Sequence, residues 1–123
     1  MISGAHVIIE STDADADRAF IGNVLGFPSV DAGRGWLIFA LPPAELAFHP
    51  GESNDRHSLY LMTDDVHAMI RELTAKEVVC GPVSEERWGI VTSVPLPGGG
   101  KLGLYQPRHP VATSLSRTPI SPR

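Results

Sequence analysis

The 123-residue chain has a single cysteine, Cys80, which excludes an internal disulfide and any multi-cysteine zinc site. Long hydrophobic runs are missing as well. The longest, Trp36 to Leu41, stops at Pro42-Pro43, far short of the roughly 20 residues a membrane span needs. The first residues, Met1 to His6, carry neither a basic start nor an apolar signal core. The expectation is therefore a soluble, cytoplasmic protein with no membrane partner. Basic residues are scarce: ten Lys and Arg face fourteen Asp and Glu, for a formal charge of -4. Three of the ten, Arg108, Arg117 and Arg123, lie in a terminal stretch without acids, so the preceding body sets seven bases against fourteen acids, a charge of -7. Such a body repels phosphate backbones, and no nucleic-acid partner is expected.

What remains is enough apolar material, 42% of the chain, for one domain that buries roughly two-thirds of its unfolded surface. A weak duplication organises it. His6-Val-Ile-Ile-Glu-Ser-Thr-Asp13 and His57-Ser-Leu-Tyr-Leu-Met-Thr-Asp64 share His, Thr and Asp at one constant spacing. Each starts with a strand-like stretch of β-branched or aromatic residues and ends in Thr-Asp, a helix N-cap signal. Helical periodicity follows both. Ala16, Ala19, Phe20, Val24 and Leu25 share a face over about 13–25, before Gly26; Val66, Met69, Ile70 and Leu73 do so over about 64–76. Trp36-Leu-Ile-Phe-Ala then reappears loosely as Trp88-Gly-Ile-Val-Thr, and Ala44-Glu-Leu-Ala-Phe-His and Lys101-Leu-Gly-Leu-Tyr-Gln close the two halves. The pattern is βαβββ twice, over about 5–49 and 57–106. It predicts an α+β fold of two tandem modules forming a curved mixed sheet around a cleft, because each one-sided sheet needs a partner. The domain is expected over 1–109, with 110–123 as a flexible tail.

These residues resemble a family. The strand starts at His6 and His57, Leu25-Gly-Phe-Pro after the first helix, and Trp88-Gly followed by Leu96-Pro-Gly-Gly-Gly-Lys-Leu-Gly-Leu-Tyr together resemble the vicinal oxygen chelate superfamily. That superfamily includes glyoxalase I, extradiol dioxygenases of the dihydroxybiphenyl type and bleomycin-resistance proteins. The resemblance implies a divalent-metal-dependent enzyme, dioxygenase- or lyase/isomerase-like, acting on a small oxygenated compound. The alternative to this leading reading is a non-catalytic drug- or metabolite-sequestering protein of the bleomycin-resistance type. The resemblance also implies a homodimer, with modules exchanged between chains or self-contained.

By the same resemblance, the metal ligands fall at His6, Glu45 and His57, while the family's last-strand carboxylate falls at Gly103. Two imidazoles and a carboxylate suit Fe, Mn, Ni or Zn and leave positions open for substrate. Strand alternation puts Leu46 and Phe48 on one face, under the helix, and Glu45 and His49 on the other, toward the cleft. A competing alignment of Phe48-His-Pro with Tyr105-Gln-Pro pairs Leu46 with Gly103 instead. The bland reading of the two histidines is inherited scaffold that binds nothing.

Tyr105 is the candidate catalytic residue, a hydrogen-bond donor or proton carrier, and it shares the substrate-binding role with Trp88 and His49. His49 stands at a strand end and suits a cleft rim; Gly89 beside Trp88 suggests a close backbone approach. His67 and His109 read as exposed, the latter in a surface turn. Cys80 reads as a buried strand residue. Gly98-Gly-Gly-Lys101 lacks the spacing and the helix of a phosphate loop and reads as a hairpin. Asp13, Asp15 and Asp17 lack the glycine and late glutamate of a calcium loop and read as first-turn acids.

Overall fold

The computed structural model describes residues 5–113 and 115; of the expected tail, residues 114 and 116–123 lie outside them. The order is α1 (Ala14–Asn23), β1 (Ser29–Asp31), β2 (Leu37–Phe39), β3 (Tyr60–Met62), α2 (Val66–Ala75), β4 (Ser84–Glu86), β5 (Gly89–Pro95) and β6 (Lys101–Pro107). The fold is α+β, as the periodicities predict. Asp13 caps α1, its carboxylate accepting from Ala16 N at 3.2 Å, and Gly26 leaves the helix at φ +74°. In the second repeat the cap is Asp65, one residue beyond the Thr-Asp pair, accepting from Ala68 N at 3.0 Å.

The second module is complete. Its strands form one sheet in the order β3-β6-β5-β4, with β3 and β6 parallel and the other pairs antiparallel. The hairpin before β6 closes through Leu96 N donating to Gly100 O at 2.8 Å, with Gly99 at φ +102°. Alternation along β5 and β6 sends Val94, Leu102 and Leu104 into the core with Val66 and Leu73 of α2. Burying each such side chain contributes about 1.5–3 kcal/mol. Phe20, Ile21, Val24 and Leu25 of the α1 region join the same core.

The first module therefore lends its helix to the second module's sheet. Asp17 fastens it there, accepting from Gly98 N at 2.7 Å and from the Ser11 hydroxyl at 2.6 Å. Thr12 Oγ1 donates to Gly98 O at 2.8 Å, and Lys76 Nζ to Val24 O at 3.0 Å. What is left of module one within the chain is the antiparallel pair β1-β2. Residues 5–10 and 40–59 form no strand. Leu46 and Phe48, expected under the helix, are instead exposed, Phe48 at 89%, because α1 is engaged elsewhere. Cys80 is half-buried against the core but lies outside any strand, and burial pushes its thiol up. No helix among the described residues is long and apolar enough to cross a membrane.

Candidate functional site

The face of the β3-β6-β5-β4 sheet turned away from the helices carries the aromatic residues. Since Leu102 and Leu104 point into the core, Gly103 and Tyr105 point the other way, and Tyr60 pairs with Gly103 across the parallel ladder. Tyr60, Trp88 and Tyr105 meet edge to face, with ring centroids 6.1 Å (Tyr60–Trp88), 5.8 Å (Tyr60–Tyr105) and 5.4 Å (Trp88–Tyr105) apart. Glycine makes this packing possible at Gly89: a Cβ there would stand 2.8 Å from Tyr105 Cδ2 and 2.7 Å from Gln106 O. Trp88 is held at its carbonyl, which accepts from Arg108 N at 2.9 Å.

Polar groups gather at the phenol of Tyr105. Its hydroxyl lies 3.0 Å from His109 Nε2 and 3.5 Å from Glu45 Oε1. His109 stacks on the Tyr105 ring with an interplanar angle of 30°, and its Nδ1 lies 2.7 Å from Pro110 O. A carbonyl only accepts, so Nδ1 donates to it; in the tautomer protonated at Nδ1 alone, Nε2 is a second acceptor, beside Glu45 Oε1, for the one Tyr105 proton. Glu45 Oε2 accepts from Ala112 N at 2.7 Å, and Oε1 lies 3.9 Å from His109 Nε2. Burial first, then the charge of Glu45 and its hydrogen bond, push the Tyr105 phenol above its ordinary value. Tyr105 is thus a proton donor near neutrality, not a phenolate base.

The structure brings Glu45, Tyr105 and Trp88 to one site. It does not bring His6, His49 or His57 there; all three are exposed and make no side-chain hydrogen bond among the described residues. Among those residues no group of three His, Cys, Asp or Glu side chains stands close enough to hold a metal ion. The donor set His6, Glu45 and His57 therefore does not fit a metal within one chain. His109, expected in a surface turn, belongs to the site; a signal was its place four residues beyond Tyr105. Tyr60 belongs too; what places it there is its pairing with Gly103 across β3-β6, which no local pattern in the sequence signals.

The described residues also line two hollows. An apolar groove of about 210 Å³ runs along the free edge of β3, between Tyr60 and Met62 on one side and Leu41 to Ala44 on the other. A cleft of about 530 Å³ separates α1 from the β1-β2 pair, lined by Arg18, Asn23, Ser29 and Phe39 among others. It shares no residue with the aromatic cluster, and Arg18 on its wall is already engaged, pairing with Asp15 at 3.0 Å and lying 4.8 Å over the Trp36 ring.

No protein-family model matches the chain, and no curated protein matches it. Solved structures do. An antibiotic-binding protein, TnmS3 from Streptomyces sp. CB03234, is 25% identical over 86% of this chain and 97% of its own, with a TM-score of 0.64. A member of the glyoxalase/bleomycin resistance protein/dioxygenase superfamily from Sphaerobacter thermophilus is 24% identical over 85% and 98%, with a TM-score of 0.57. Lactoylglutathione lyase from Agrobacterium tumefaciens is 18% identical over 85% and 92%, with a TM-score of 0.56. The chain thus shares the fold of solved structures described as glyoxalase/bleomycin resistance proteins. That fold hosts both binders and enzymes, so the role must come from the site.

Proposed function

We propose that this protein binds a small, flat organic molecule on the Tyr60–Trp88–Tyr105 face, as a cytoplasmic sequestering protein. One observation carries the reading. On a sheet face that no helix among the described residues covers, three rings converge beside one carboxylate, and Tyr60 and Trp88 stay 45% and 38% exposed. Exposed ring faces offer stacking area at little conformational cost, and Glu45 with Tyr105 offers an acceptor and a donor to fix orientation. The antibiotic-binding neighbour supports the same reading. Tryptophan fluorescence and calorimetry against a panel of planar compounds test it. The expected result is saturable binding that Trp88→Ala weakens at least about tenfold, the loss of one ring contact with its buried area. Binding that ignores Trp88→Ala would overturn it.

The working unit is a homodimer. Support comes from residues 5–10 and 44–49, which form no strand although their repeat equivalents, β3 and β6, pair with each other. His6 lies on one of these segments and Glu45 on the other. The metal-dependent enzyme reading thus requires a second copy to gather what one chain keeps apart. Elemental analysis of protein purified without tag or chelators, compared with His6→Ala and His57→Ala, tests that reading. Near-stoichiometric Fe, Mn, Ni or Zn lost in both variants is the result it requires.

A further inference from the structure

Tyr105 is 8% exposed, whereas its neighbours Tyr60 and Trp88 on the same open face are 45% and 38% exposed. The difference comes from the chain after β6. Residue 108 is pinned, with its N–H on Trp88 O at 2.9 Å and its guanidinium on Glu85 Oε1 at 2.9 Å. From there the backbone turns back over Tyr105. His109 lays its imidazole on the phenol ring and presents Nε2 to the hydroxyl at 3.0 Å; Ala112 donates its N–H to Glu45 Oε2 at 2.7 Å. Among the described residues little else holds the segment: Pro110, Val111 and Ala112 are exposed.

We propose that His109–Ala112 is a strap that competes with the ligand for this site, its own groups standing in for the ligand's. We further infer that the molecule displacing it is a flat nitrogen heteroaromatic bearing a ring acceptor and an adjacent N–H donor. The proposal rests on the binding reading above. The strap supplies three things: a flat ring against Tyr105, an acceptor for the Tyr105 proton, and an N–H for Glu45. A ligand that displaces it must replace all three, because once its acceptor takes the Tyr105 proton, which can otherwise go to Glu45 Oε1 at 3.5 Å, Glu45 is left without a donor beside a ring cluster, which is costly. A compound of the same shape without an N–H satisfies Tyr105 alone. The pinned Arg108 makes the exchange local, since the strap lifts from residue 109 onward while β6 stays in its ladder.

The test uses the full chain with Ala112→Pro, which removes the N–H facing Glu45 and also fixes φ there, and His109→Ala, which removes the ring; either serves if the other fails to fold. Acetylation by N-acetylimidazole, mapped by mass spectrometry with Tyr60 as internal reference, reads access to Tyr105. Calorimetry reads binding of 2-aminobenzimidazole, with 1-methylbenzimidazole as the control lacking an N–H. Both variants should acetylate at Tyr105 about tenfold faster and bind 2-aminobenzimidazole about tenfold tighter than wild type, the scale of one lost competing hydrogen bond. The control should bind more weakly throughout. In wild type, saturating 2-aminobenzimidazole should speed hydrogen exchange at the Ala112 amide. Variants that bind no tighter, or an Ala112 amide still protected in the saturated protein, would overturn the strap. Affinity in the strap variants that ignores Trp88→Ala would instead overturn the platform reading on which it rests.

Discussion

The ring of Tyr60 lies directly over Gly103, its partner in the parallel β3-β6 ladder, and fills the space into which any side chain at 103 would project. The glycine is therefore a seat for an aromatic ring. It stands where the superfamily resemblance puts a carboxylate, and the ring closes that position to a ligand from β6.

A methyl group at this seat is the sharpest check. In Gly103→Ala the Cβ meets the body of the Tyr60 ring, and β6, in the middle of its sheet, has no room to retreat. Overpacking of this kind costs about 1–3 kcal/mol. Urea denaturation should show that loss, and Gly103→Ala in a Tyr60→Ala background should show much less of it. Equal losses in both backgrounds would break the link between the two residues.

The raised Tyr105 phenol gives an alkaline signature. Its acidity is weaker in the folded chain than in the unfolded one, so above pH 10 the unfolded state ionises first and stability falls as pH rises. The contribution is complete below the ordinary tyrosine value and is lost as pH climbs through the higher folded value. Tyr105→Phe keeps the ring and removes the titrating proton. Denaturation midpoints between pH 9 and 11.5 should fall less steeply in Tyr105→Phe than in wild type; parallel slopes would assign the burden elsewhere.

Much of module two is legible in the amino-acid sequence, as is the start of the first helix. Asp13 caps α1, the glycine run is a hairpin, and β6 spans the Lys101–Tyr105 pattern, because capping and alternation are local physics. Module one is legible only as capacity. The β-branched run at Val7 to Ile9 reads as a strand, yet among the described residues it has no ladder partner, and alternation does not show that α1 docks on the other module's sheet. Glu45 does turn inward, though not for the reason alternation supplies, since Leu46 and Phe48 lie in the open. His109 is legible only as a neighbour of Tyr105 four residues away: a histidine after a proline-ended strand looks like a turn until the return of the backbone over Tyr105 is known.

That docking of α1 has its own test. Asp17 receives two hydrogen bonds, one from the hairpin amide of Gly98 and one from Ser11, and is the main polar fastening between the first helix and the second module. Hydrogen bonds to a charged group are worth about 1.5–3 kcal/mol. Asp17→Ala should cost that much in denaturant unfolding. Amide exchange should rise along residues 14–23 first, with β5 and β6 protected; uniform loss across the chain would show that the helix is not separately fastened.

The exposed segments of module one lead to the last prediction. Ile8 is 80% exposed and Phe48 89%, and both lie on stretches whose repeat equivalents are neighbouring strands. Stretches with unpaired backbone and apolar side chains invite pairing with another chain. Burying each of these side chains in a dimer would contribute about 1.5–3 kcal/mol, so losing both is enough to move a micromolar equilibrium by orders of magnitude. Sedimentation should therefore find wild type dimeric at micromolar concentration and Ile8→Asp/Phe48→Asp monomeric. Because neither side chain is buried within the chain, the variant should keep the circular dichroism and denaturation midpoint of a folded single subunit. A wild type that sediments as a monomer throughout that range would remove the second copy, and with it the route by which His6 and Glu45 could be brought into one metal sphere.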